Sequence, residues 1–105
     1  MAKKLEGWDL VGYCGVDSGQ LMITDPCYLD EWVADECGDK VKEKNNYSYA
    51  GACELTIADN KGGQLNKTGI EVGVVFASGY GDGVYPVYCK KNKDGRVVEV
   101  KVVME

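Results

Sequence analysis

Hydrophobic and polar residues change places over short runs along most of this chain, in the period-two pattern of half-buried strands. Residues 10–16 (Leu-Val-Gly-Tyr-Cys-Gly-Val) read as a strand. Asp17, Ser18 and Gly19 supply turn chemistry, and residues 20–24 read as the returning arm of a hairpin. The period then changes. Tyr28, Leu29, Trp32 and Val33 recur at i, i+4, which predicts a helix over 25–38 with one apolar face. Asp25 suits its N-cap, Pro26 its first position and Gly38 its stop. Residues 40–46 are charged and read as a loop, and 52–57 as the core of a strand spanning 47–58. Residues 59–69 form a polar, glycine-rich connection. In 70–77, Ile70, Val72, Val74 and Phe76 alternate toward one face. Residues 84–90 and 96–104 read as a hairpin across 91–95, because Asp94-Gly95 suits the positive φ values of a tight turn. Val98, Val100, Val102 and Met104 give the last strand one fully apolar face. Pro86 is expected where its missing N–H faces solvent or a bulge. Six strands and one short α-helix predict a mainly β fold, a small antiparallel barrel or sandwich, in a single domain over 1–105.

Composition narrows the chemistry. A chain of 105 residues with 45% hydrophobic content has material for one core, and no run approaches the ~18 apolar residues of a membrane helix. Residues 1–7 carry charge without a following apolar stretch, which points away from secretion and toward the cytosol. The net charge of −5 and the scattered lysines disfavour direct contact with nucleic acid. Five cysteines (Cys14, Cys27, Cys37, Cys53, Cys89) without a C-x-x-C pair are expected to be mostly reduced thiols, with Cys14, Cys53 and Cys89 in strands. Histidine is absent, which removes Ser-His-Asp and Cys-His nucleophile systems and His-ligated zinc.

The candidate site is the segment Ser78-Gly79-Tyr80-Gly81-Asp82-Gly83-Val84-Tyr85, with three alternate glycines around one aspartate. Its backbone N–H groups suit an anion cradle. It lacks the following helix that dinucleotide and P-loop fingerprints require. The simpler reading is a sharp strand corner with Asp82 capping its own loop. Asp17, Asp25 and Asp82 each sit beside a turn, and together they would suit a hard cation such as Mg²⁺ or Ca²⁺, although each also has a sufficient role as a cap or turn former. Cys27, just inside the expected helix, is a candidate for an activated thiol. Tyr13, Tyr28, Trp32, Tyr80, Tyr85 and Tyr88 fit ordinary core packing, or else a tyrosine-lined pocket that stacks on a flat ligand.

Three stretches carry a resemblance: Gly15-Val16-Asp17-Ser18-Gly19, Asp25-Pro26-Cys27-Tyr28-Leu29, and the block from Phe76 to Tyr88 with its Tyr85-Pro86-Val87-Tyr88 strand. They are similar to segments shared by uncharacterised small bacterial and phage proteins that end in a Ser-Gly-aromatic-Gly-Asp-Gly block and an Asp-Gly hairpin. The resemblance leaves residues 38–69 uncovered. It implies a bacterial or phage source and a β-rich fold. With it, the residues favour a non-catalytic binding protein without a cofactor over an enzyme. Such a protein would inhibit a host defence protein or hold a nucleotide-like signal, using Gly79, Tyr80, Gly81, Asp82, Gly83, Tyr85, Asp17 and Asp25, with homo-oligomerisation left open. The alternatives are a metal-dependent hydrolase built on Asp17, Asp25 and Asp82, and a structural or assembly accessory protein.

Overall fold

The structure is a computed structural model that describes residues 3–105. Six strands form two antiparallel three-stranded sheets, accompanied by one short α-helix, so the fold is mainly β. Each sheet has two free edges in its strand order and neither closes into a barrel. Close Cα approaches divide the chain into two compact units, Met1–Gly19 with Ser78–Glu105, and Gln20–Ala77. No helix of the described residues is long and apolar enough to cross a membrane.

The first unit holds β1 (Asp9–Val16), β5 (Gly83–Lys91) and β6 (Val97–Val102), in the order β1-β5-β6. The β5–β6 hairpin is the one the sequence predicts. Its turn is organised by Asn92, whose Oδ1 accepts from the N–H groups of Asp94 (2.9 Å) and Arg96 (3.1 Å). The expected hairpin of residues 10–16 with 20–24 does not form. Leu10 to Val16 pair instead with Tyr88 to Gly83, across a bulge at Val11. Pro86 lies on a central strand, and its carbonyl accepts from Val103 N–H just beyond β6. Its missing N–H therefore faces the place where β6 pairing stops, which is how a central strand tolerates it.

The second unit holds β2 (Gln20–Thr24), β3 (Gly62–Lys67) and β4 (Ile70–Ala77), in the order β2-β4-β3, together with α1 (Tyr49–Ile57). Here three local expectations are overturned. The stretch 52–57 is helical, because Ser48 Oγ accepts from Gly51 N–H (3.0 Å) and Asp35 Oδ1 from Ala50 N–H (2.7 Å), so two first-turn donors are capped from outside the helix. The polar stretch 59–69 contains β3. The helix expected over 25–38 reduces to a 3-10 helix, Pro26–Glu31, capped by Asp25. Beyond it the Val33 backbone bonds to Tyr47 and Tyr49, which requires extended chain.

The core of this unit consists of Tyr47, Ala52, Leu65, Val72 and Val75, with Met22, Tyr28, Trp32 and Leu55 packed around it. Trp32 meets Tyr47 edge-on at 5.0 Å, and the Tyr47 hydroxyl lies 3.0 Å from Thr24 Oγ1, which donates to the Val72 carbonyl. Of the apolar face expected over 28–33, Tyr28 and Trp32 pack on the core without the helix, whereas Leu29 and Val33 are exposed. Along β4 the buried positions are Val72 and Val75, while Ile70 and Val74 are exposed, so its alternation does not hold. Cys37 and Cys53 form a disulfide with Cα atoms 5.6 Å apart, which corrects the expectation of reduced thiols for this pair. Cys53 also lies on α1 rather than on a strand. Cys14, Cys27 and Cys89 are free.

Candidate functional site

The glycine segment is a corner within the first unit, and its hydrogen bonds are internal. Ser78 N–H donates to the Gly19 carbonyl (2.9 Å) and Gly81 N–H to the Ser78 carbonyl (3.2 Å). The Gly81 carbonyl accepts from both Ser78 Oγ (2.8 Å) and the Tyr85 hydroxyl (2.7 Å). Of its three glycines only Gly81 has a positive φ, 84°, the conformation that favours glycine. Asp82 does not cap its own loop. Its Oδ1 accepts from Gly19 N–H (2.9 Å), 63 residues away, and so ties the corner to the end of β1. Gly79 and Tyr80 are exposed, Tyr80 to 76%, whereas Tyr85 is buried beneath the corner.

The three aspartates have separate local surroundings. Asp17 is exposed in the turn after β1, Asp25 caps the 3-10 helix through Cys27 N–H (2.9 Å), and Asp82 holds Gly19. Among the described residues no three His, Cys, Asp or Glu side chains gather into a group that would hold a metal ion. Cys27 is exposed at the start of a 3-10 helix of six residues, shorter than the helix its expected activation calls for.

The first unit instead builds a concave site on one face of its sheet. Alternation along β5 sends Val84, Pro86 and Tyr88 to this face. Pairing of Tyr13 with Pro86 and of Leu10 with Tyr88 brings β1 side chains beside them. The N-terminal segment crosses the same face, where the Tyr88 hydroxyl donates to the Lys3 carbonyl. The result is a cleft of about 530 Å³ lined by Tyr13, Tyr85 and Tyr88, with Lys3 and Glu105 on its wall. This volume lies in the range of small-ligand sites.

A cationic platform flanks the cleft. Lys101 pairs with Tyr88 across β5–β6 and so shares its face, as does Lys90 by alternation. Their ammonium groups lie 4.2 Å and 5.7 Å from the centre of the Trp8 ring, within cation–π distance. Trp8 also lines an adjoining hollow of about 610 Å³, together with Lys4 and Lys91 and the carboxylates Glu6 and Asp9. Along the sequence these lysines are scattered, at positions 90 and 101. The signal was present in the alternation of Lys90 and Lys101 with apolar residues, but their meeting at Trp8 depends on strand register.

Fold and site together define a small β-rich chain with a tyrosine-lined, lysine-flanked cleft. The chain belongs to the protein family of unknown function DUF4241, whose family model matches residues 2–102. That match includes the middle stretch, 38–69, which the resemblance of the terminal segments leaves out. No curated protein and no solved structure matches the chain.

Proposed function

We propose that this chain is a non-catalytic binding protein that holds a flat, anionic, nucleotide-like molecule in the Tyr13/Tyr85/Tyr88 cleft. The observation that carries the reading is the conjunction of Tyr13 and Tyr88 with Lys3 and the Lys90–Trp8–Lys101 platform on one sheet face, with Tyr85 lining the same cleft from beneath the glycine corner. An aromatic ring stacks on any base, at about 1–3 kcal/mol per base. Ammonium groups beside it suit phosphate oxygens. In this reading the glycine corner shapes the cleft through Tyr85 and does not cradle the ligand, and Asp17 and Asp25 act as turn and cap residues. The setting we propose is a bacterial cytosol, with the protein encoded by a phage or prophage and acting as a sponge for a nucleotide signal of host defence. The absence of histidine and the internal bonding of Asp82 weigh against a hydrolase.

Isothermal titration of the full chain with a panel of mono-, di- and cyclic nucleotides tests this. The expected result is saturable binding to at least one member, weakened about tenfold or more by Tyr13→Ala, as the loss of one stacking partner implies. Binding that is undiminished in Tyr13→Ala, or no saturation with any member, would remove the cleft as the site.

A further inference from the structure

The outer edge of β6 is open, and its sequence complements its own reverse in charge. Val98 and Val100 of the predicted apolar face are more than half exposed, as is Val97 on the other face, and Val102 and Met104 are half-buried. β6 is an end strand of its sheet. Val103 N–H donates inward to Pro86. By the alternation of an antiparallel ladder, Lys101 and Glu99 also turn their backbone groups toward β5, and Val100 and Val102 turn theirs outward.

We infer that β6 pairs antiparallel with β6 of a second copy of this chain, joining two three-stranded sheets into one of six strands about a two-fold axis at Val100. The register follows from the sequence Val98-Glu99-Val100-Lys101-Val102. With Val100 opposite Val100, each Glu99 stands opposite the other copy's Lys101. Both ion pairs form on one face and the Val100 pair at the axis on the other, which is the self-complementarity a two-fold interface needs. Hydrogen-bond parity agrees, because the residue at the axis is one whose N–H and C=O point outward. Glu99 faces Lys90 within the chain, and Lys101 lies over Trp8, so each charge already stands on the face where its new partner arrives. Lys90 pairs with Glu99 and Lys91 with Val97, so the bulged residue is Val98 of β6 itself, and the regular stretch that carries the register is 99–102.

Sedimentation equilibrium of the full chain at low salt tests the inference. The parent is expected to show a reversible dimer that weakens as salt is raised. Glu99→Lys and Lys101→Glu each place like charges opposite one another twice, and each is expected to weaken dimerisation about tenfold or more. An equimolar mixture of these two variants restores opposite charges at both pairs and is expected to give a heterodimer. Val100→Pro removes an outward N–H without removing a bond to β5, so it is expected to be monomeric with an unchanged far-ultraviolet spectrum. A parent that stays monomeric at all concentrations would overturn the inference. So would variants that dimerise as well as the parent, or a mixture that stays monomeric. Tyr13→Ala is expected to leave the dimer intact, which separates this result from that for the cleft.

Discussion

Gly51 lies in the first turn of α1, where an ordinary helix would gain from alanine. Here a Cβ at this position would stand 2.1 Å from the Asn46 carbonyl oxygen, about 1 Å inside contact distance. The obstacle cannot easily retreat. The Asn46 carbonyl accepts from Ser48 N–H (2.8 Å), and its neighbours Asn45 and Tyr47 are both bonded to Asn66 on β3 (2.7 and 2.9 Å). Gly51→Ala must therefore push the helix N-terminus off its cap or open the Asn46 turn. Helix propensity returns about 1 kcal/mol, whereas overpacking of this kind costs about 1–3 kcal/mol and a lost cap about 1 kcal/mol more. The net expectation is a loss of about 2 kcal/mol, which for a chain of this length lowers Tm by roughly 10 °C. Thermal and urea denaturation followed by circular dichroism would measure it, with Gly79→Ala as control, since a Cβ there meets nothing within 4 Å. A Gly51→Ala protein as stable as the parent would refute the packing described at the helix start.

Other expectations follow from particular contacts. Alkylation of the denatured chain should label three cysteines without reductant and five with it, and labelling of all five without reductant would contradict the Cys37–Cys53 bridge. Replacing Cys53 by Ser should cost about 3 kcal/mol, the chain-entropy value for a loop of this size, read out by urea midpoint. Asp82→Ala should lower stability by about 1 kcal/mol while leaving ligand affinity within twofold, because the carboxylate holds Gly19. Asp82→Asn, which keeps an acceptor, should recover most of that loss, and a large affinity change in Asp82→Asn would return the glycine corner to the binding site.

The elements legible in the sequence are those whose signals are local. β1, β2, β4 and the β5–β6 hairpin follow from short alternating runs and nearby turn residues. The stretch 47–69 misleads because its decisive interactions come from elsewhere in the chain. Leu55-Thr56-Ile57 reads as strand by composition, but Asp35 and Ser48 cap a helix before it. Gly62 and Gly63 read as loop residues, yet they pair with Phe76 and Val75 of β4. The turn at 17–19 reads as a hairpin, but Val16 pairs with Gly83 and Gln20 with Ala77, so the strands on either side enter different sheets. The glycine segment was visible as a corner but its latch was not, since Asp82 and Gly19 are 63 residues apart. Tyr13, Tyr85 and Tyr88 were candidates for a pocket from the start, whereas Trp8 and its two lysines emerge only from the register of β5 with β6.

The central claim is that the tyrosine cleft holds a nucleotide-like anion. It is tested most directly by native mass spectrometry of the full chain taken from bacterial cells without dialysis, beside its Tyr13→Ala variant. The expected result is a co-purifying small mass with the ultraviolet absorbance of a base, lost or sharply reduced in Tyr13→Ala and retained in Asp82→Asn. A parent that carries no such mass and gains none when nucleotides are added would contradict it.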